Sequence, residues 1–372
     1  MAERSKHYGF LDALRGLASL WVVLNHIHDF VPLTLAHFPG FLRVSVVEYG
    51  GLGVEVFFTI SGFVIAYSLR NVHMDTAQFK NFVARRMVRL TPPYYAAVIL
   101  TFFVNFVSTR VKHESWHSPT LGRWVAHALY LPDLLKMEMI NGVHWTLYIE
   151  VQFYLLFAVV LWIVARASSR SQRASLRASQ WATQWAPQII MALVGAAALV
   201  YPLFDLRHGR ERYFFPYCFT FVAGVFIQWF VSKRLHPAIF YGYFALLAVA
   251  WAVNGDSLVG AGVISAGLIW ACTYGNRSEV WLRQRPLKFL GKISYSLYLT
   301  HISVMASVFY LGQRVLGTSK GVEIALVFVE VAAAIVVGAI VQKFCEEPAI
   351  RWSRKLKLPT AKAEPAPVPA SH

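Results

Sequence analysis

The stretch Phe10–Phe30, FLDALRGLASLWVVLNHIHDF, is long and apolar enough to cross a bilayer as one helix. Yet it carries Asp12, Arg15, Asn25, His26, His28 and Asp29. About 20 mostly apolar residues cover the hydrocarbon core, and a charge near its centre costs roughly 2.5 kcal/mol or more. Helical geometry sorts these groups. Arg15 and His26 are eleven residues apart, so at 100° per residue they fall within about 20° of one face, about 16 Å apart along the axis. Asp12 and Arg15 are neighbours one turn apart and can pair. The ordinary alternative has Arg15 snorkelling to one headgroup layer and His26 resting in the other. His28 and Asp29 fall at the interfacial end, where they need no special role. The preceding MAERSKHYGF lacks a signal peptide's apolar core and cleavage site, so the first run reads as a retained span.

The chain has 372 residues, 57% hydrophobic and 15% charged. That balance indicates a polytopic membrane protein rather than one or two soluble domains. The formal charge of +16 would suit a nucleic-acid partner only on a solvated basic face. Here the cations sit in short breaks between apolar runs, so no nucleic acid is expected. Cys218, Cys272 and Cys345 lie in or beside apolar runs without CxxC spacing and read as packing residues.

Apolar stretches of spanning length fall near 10–30, 49–69, 88–108, 144–165, 187–204, 213–232, 236–253, 257–275, 290–313 and 322–345. Only helices satisfy the backbone of such segments in lipid. The expectation is an all-α integral membrane protein, a bundle of about ten transmembrane helices. With the N-terminus cytoplasmic, the cytoplasmic segments hold 24 lysines and arginines against 10 on the opposite side. That bias places both termini in the cytoplasm. Residues 1–357 form the membrane domain in this reading, and 358–372 form a disordered Pro/Ala-rich cytoplasmic tail. Within the longest outward loop, Trp124–Leu135 suits an interfacial helix, and RASSRSQRASLRASQ (166–180) reads as a mobile inward loop. With no soluble catalytic domain in view, any chemistry belongs inside the bundle.

Three groups of polar residues then matter. Glu150 lies six residues below His144, about 9 Å along its span, and His26 about 6 Å below the outer end of its own. A carboxylate at matching depth can fix the imidazole tautomer and raise its basicity for general-base work. A purely structural pair is also open, and Glu55 is a rival partner. His301, in LGKISYSLYLTHISVM, lies in the outer half of its span and has the weaker claim of a packing histidine. His26 and His28 face different ways, and His113 and His117 lack an HExxH context, so no metal is assigned. On the cytoplasmic side, ARRMVRLTPPYY groups Arg85, Arg86 and Arg89 before Pro92 and Pro93. Arg86 and Arg89 share a helix face and suit a phosphorylated ligand, and the prolines suggest a deviation that exposes backbone groups. Ordinary positive-inside anchoring is the plainer explanation of the charge.

Taken in order, these segments resemble the acyltransferase 3 family of bacterial integral-membrane O-acyltransferases. FLDALRGLASLWVVLNH looks like its Arg-x10-His span, and GGLGVEVFFTISGFVIAYSL is similar to its second span. RRMVRLTPPYY, WTLYIEVQFYLL, LGKISYSLYLTH and CEEPAIRW resemble four further motifs, so the likeness runs along most of Phe10–Arg354. It implies transfer of an acyl group, most often acetyl, from cytoplasmic acyl-CoA to a hydroxyl of an extracytoplasmic carbohydrate or lipid-linked glycan. No cofactor is implied beyond acyl-CoA as co-substrate, and the setting is the bacterial inner membrane. On matching positions His26 becomes the catalytic candidate, and Arg15, Arg86 and Arg89 become donor-binding candidates; the reading of the residues themselves adds Glu150 beside His26 and Arg85 to the donor group. Asp12, Asn25, Glu55, Ser61, Trp145, Tyr154, Tyr295 and His301 fall in supporting places. His26 would deprotonate the acceptor hydroxyl, with a transient acyl-histidine as the other route. A multi-pass transporter using intramembrane charges is the competing function class, and a non-catalytic subunit of an envelope-assembly complex is a third.

Overall fold

Hydrocarbon offers backbone N–H and C=O groups no partner, and the chain answers with helices alone among its described residues. The computed structural model describes residues 8–30, 39–171, 176–204, 213–274, 281, 282 and 284–356. The tail expected at 358–372 lies outside them. In chain order the main helices are α1 (Gly9–Asn25), α2 (Gly53–Leu69), α3 (Thr76–Val111), α4 (Leu121–Ala128), α5 (Trp145–Ser171) and α6 (Leu176–Ala198). They continue with α7 (Cys218–Val231), α8 (Pro237–Asn254), α9 (Ser257–Tyr274), α10 (Arg285–Leu316), α11 (Lys320–Val341) and α12 (Glu347–Lys355). Every apolar stretch read from the sequence falls on one of them. Among the described residues, seven helical segments are long and apolar enough to cross a membrane, and Phe215–Val231 is a shorter apolar helix. The chain is an all-α, multi-pass membrane bundle.

Its helices turn apolar side chains outward as well as inward. Helix α11 exposes Phe328, Val329 and Val336 while burying Leu326, Ala334 and Gly338 against the bundle. Small residues set the closest approaches, as expected where lipid removes the hydrophobic drive for helix association. A Cβ at Gly16 of α1 would stand 2.5 Å from the Gly291 nitrogen of α10, and one at Gly291 would collide with the Asp12 carbonyl. Ten residues further on in both helices, His26 and His301 face each other, so α1 and α10 run parallel. A second close approach locks α2 to α7: a Cβ at Gly62 would collide with the Phe221 carbonyl, and one at Gly224 with the Thr59 carbonyl.

Two expectations are corrected. Pro92 and Pro93 do not break their helix, since α3 continues through both. Tyr295 Oη of α10 donates to the Leu90 carbonyl at 2.9 Å, so a neighbouring helix supplies a hydrogen bond just before the prolines. The helix in the long loop is Leu121–Ala128 rather than Trp124–Leu135, and Tyr130 just beyond its end adopts φ +61°. Cys218 and Cys272 are buried, Cys345 is half-buried, and all three are free thiols.

Candidate functional site

Helix α1 ends at Asn25 and tightens into a single 3-10 turn, His26–Asp29. That turn brings residues three apart together. His26 Nδ1 lies 2.9 Å from Asp29 Oδ2, with the two side chains 25% and 42% exposed. A carboxylate only accepts, so this contact puts the proton of the neutral ring on Nδ1 and leaves Nε2 with a lone pair. His28 Nε2 approaches the other carboxylate oxygen at 3.1 Å. Asp29, set aside in the sequence as interfacial, is therefore the group that orients His26. The readable signal was His-x-x-Asp at one-turn spacing.

Across from this turn stands His301 of α10, its ring centroid 5.2 Å from that of His26. It is fully buried. Its Nδ1 lies 2.7 Å from the Tyr298 carbonyl, so Nδ1 donates and Nε2 is left an acceptor with no protein partner. Two imidazoles thus share one end of the bundle.

Glu150 is not with them, which corrects the expected His26–Glu150 pair. Ser61 Oγ donates to Glu150 Oε1 at 2.5 Å, and Tyr154 Oη donates to the same oxygen. The depth count assumed that the span starts at the rim. Instead His144 is fully buried, with Nε2 3.3 Å from the Leu299 carbonyl, so α5 begins already recessed. Six residues beyond it, Glu150 sits about 9 Å further from the histidine end. Glu55, the rival partner, is fully buried near the start of α2. Asn25 packs against Gly50, and Trp145 packs against Phe58 and Tyr217.

Around Glu150 lie two narrow cavities of about 30 Å³ each, both lined by Arg15, Ser61, Glu150 and Tyr295. One extends to Arg86, Arg89 and Tyr154, where the Arg86 guanidinium stands 4.6 Å from the Tyr154 ring centre. The other extends to Thr146, Tyr298 and Leu299. Thr146 Oγ1 donates to Tyr298 Oη at 2.9 Å, and the Tyr298 ring lies 5.8 Å from that of His301. A continuous series of polar side chains therefore runs from the arginines to the two imidazoles.

At the arginine end the passage meets a cavity of about 1080 Å³. Helix α1 gives it Asp12 and Arg15, and α3 gives it Arg85 and Arg89. The start of α10 adds Lys288 and Lys292, and α12 adds Arg351 and Arg354. Two of its carboxylates are engaged: Ser296 Oγ donates to Glu346 at 2.6 Å, and Lys292 Nζ lies 3.5 Å from Glu347. Seven cationic side chains against three carboxylates make the cavity anion-seeking. The sequence reading absorbed the α10 and α12 cations into the orientation count. Among the described residues no group of three or more His, Cys, Asp or Glu side chains is placed to hold a metal ion.

A separate buried knot fastens the segment after α4. Tyr94 Oη and Tyr148 Oη lie 3.0 Å apart and 3.2 and 3.1 Å from His127 Nδ1, while Ile140 N–H donates to His127 Nε2 at 3.3 Å. Burial pushes the His127 imidazole down to about 4.

A family profile described as "Acyltransferase domain" matches residues 8–342. "Acyltransferase MdmB" of Streptomyces mycarofaciens is 25% identical over 373 residues, covering 92% of this chain and 91% of that one. "O-acetyltransferase OatA" of Staphylococcus aureus is 25% identical over 321 residues, covering 80% of this chain and half the length of that protein. "Regulator of hypoxia-inducible factor 1" of Caenorhabditis elegans is 27% identical over 177 residues, 43% of this chain and 35% of that one. No solved structure matches the chain.

Proposed function

The chain belongs to the acyltransferase 3 family of membrane acyltransferases, and from that premise we propose that it moves an acyl group, most readily acetyl, from cytoplasmic acyl-CoA to an extracytoplasmic hydroxyl. The acceptor in this reading is a carbohydrate or lipid-linked glycan, and the setting is the bacterial inner membrane. Ten spans over residues 1–357, with both termini cytoplasmic, put the arginine cavity at the inner face and the histidine turn at the outer one.

One observation carries the proposal. A cationic cavity at one end joins, through polar cavities beside Arg15 and Glu150, a pair of imidazoles at the other end of the same helix. The donor's phosphates rest among Arg15, Arg85 and Arg89, where charge-assisted hydrogen bonds suit them. Its thioester arm passes Arg86, Glu150, Ser61, Tyr154 and Tyr295. At the far end His26 Nε2 takes the proton of the acceptor hydroxyl as its oxygen attacks the thioester carbonyl. The carbon–sulfur bond breaks, and the same proton passes to the departing thiolate, giving free CoA-SH and the ester. Asp29 holds the ring in the productive tautomer and stabilises the imidazolium.

The test is acetyl-CoA-dependent release of CoA-SH by the purified protein with candidate glycan acceptors. His26→Ala is expected to lose transfer while still binding CoA, and Arg89→Ala to lose CoA affinity. Unimpaired acylation by a folded His26→Ala protein would overturn the scheme.

A further inference from the structure

We infer that α12 and the opening turn of α10 build a nucleotide subsite in the large cavity, with Lys288, Arg351 and Arg354 joining Arg15, Arg85 and Arg89 around the phosphates of the donor's nucleotide and Trp281 offering a face to its base. This rests on the acyl-CoA reading above and adds residues that the arginine motif of α3 does not contain.

Size comes first. A cavity of about 1080 Å³ lies at the upper end of the roughly 300–1,000 Å³ that ordinary small-ligand pockets occupy. A thioester arm threading two cavities of about 30 Å³ does not need such a chamber, whereas a nucleotide does. Charge comes second. Some of the cations here are already engaged: Lys292 faces Glu347 at 3.5 Å, and Arg85 Nε donates to the Ser353 carbonyl at 3.1 Å. Lys288, Arg351 and Arg354 have no carboxylate partner among the described residues. Arg351 and Arg354 are three apart on α12, so one helix face presents both. A phosphomonoester carries about −1.5 to −2 at pH 7, and a nucleotide donor adds a diphosphate.

Placement comes third. Helix α12 has only nine residues, yet it is seated on the bundle. Ala349 and Ser353 are buried beneath it, and the Arg85 and Lys292 contacts tie it to α3 and α10. The two arginines are therefore held over the cavity. Trp281, 41% exposed, lines the same space from the segment before α10. An aromatic face beside phosphate-binding cations is the usual platform for a nucleobase.

Phosphate could equally arrive on a lipid headgroup, so the experiment separates the sources. KM is measured for acetyl-CoA and for S-acetylpantetheine, which lacks the nucleotide, in vesicles of phosphatidylcholine alone and with added phosphatidylglycerol. Arg351→Ala and Arg354→Ala are each expected to raise the acetyl-CoA KM about tenfold, as loss of a charge-assisted hydrogen bond implies. The S-acetylpantetheine KM should not move, and both vesicle types should agree. Trp281→Ala should act likewise, with Trp281→Phe restoring most of the loss. A wild-type protein that turns over acetyl-CoA while the arginine variants affect both donors alike, or neither, would overturn the subsite and leave the acyl-CoA reading intact. An effect confined to vesicles with anionic lipid would assign the arginines to headgroups instead. Absence of turnover with either donor in the wild type would bring down the acyl-CoA reading, and the subsite with it.

Discussion

Asp29→Ala isolates the carboxylate that orients His26, and its cost can be worked from the turn itself. The contact to His26 Nδ1 is 2.9 Å, a good charge-assisted hydrogen bond once the ring takes a proton. Such a bond contributes about 1.5–3 kcal/mol, and the partial exposure of both side chains argues for the lower end. About 1.5 kcal/mol corresponds to roughly a tenfold loss in kcat/KM. Asp29→Asn keeps an acceptor and gives up only the charge, so its loss should be about two- to fivefold, the range of an exposed ion pair. His26→Ala removes the base and should cost about 10²–10⁴-fold. The decisive measurement is the double variant. Because Asp29 acts through His26, the double alanine protein should be no slower than His26→Ala alone. CoA-SH release, followed with a thiol-reactive dye at saturating acceptor, reads all four rates. Additive losses in the double variant, or an Asp29→Ala protein as fast as wild type, would refute the role of the turn.

Glu150→Gln should change the affinity for CoA, measured by calorimetry, because Glu150 lines the donor passage; His26→Ala should leave that affinity alone. Gly16→Val places its first added carbon 2.5 Å from the Gly291 nitrogen and should destabilise the protein by about 1–3 kcal/mol, read as a lower melting temperature in detergent. Tyr94→Phe strips a buried hydroxyl from the His127 knot and should cost about 1–3 kcal/mol in the same assay. His127 gives a pH dependence. Its folded value of about 4 lies below the unfolded value of about 6.5, so between them the unfolded chain binds the extra proton. Stability should therefore fall as pH drops from 6.5 towards 4, and His127→Gln should flatten that part of the melting curve.

Much of the architecture was legible because lipid imposes a one-dimensional rule on the chain. Length and hydropathy located a helix at every apolar stretch, while the 100° period counted from Arg15 stops at Asn25, one residue short of His26. Depth was the weak coordinate. Counting from His144 assumed a span that starts at the rim, but His144 is already buried against the Leu299 carbonyl, and Glu150 lies with the arginines rather than the histidines. Local turn geometry was the other gap. His26 and Asp29 are three apart, close enough to pair in an α-helix or a 3-10 turn, but Asp29 was set aside for its place at the end of the span. Helix α3 carries on through Pro92 and Pro93, so the proline pair did not mark a helix end there. The cations of α10 and α12 were counted correctly and understood too narrowly, since a charge tally cannot distinguish a cavity wall from a headgroup contact.

The Gly16–Gly291 contact can be viewed as the fulcrum of a balance. The two imidazoles hang at the ends of equal arms, ten residues or about 15 Å along α1 and α10. On an arm of that length, a tilt of about 4° shifts the His26 ring by about 1 Å relative to His301. A misplacement of that size can cost about 10²-fold in rate. A methyl group wedged between the glycines would thus be felt three turns away as well as at the contact, as lost turnover in a protein that still inserts and folds.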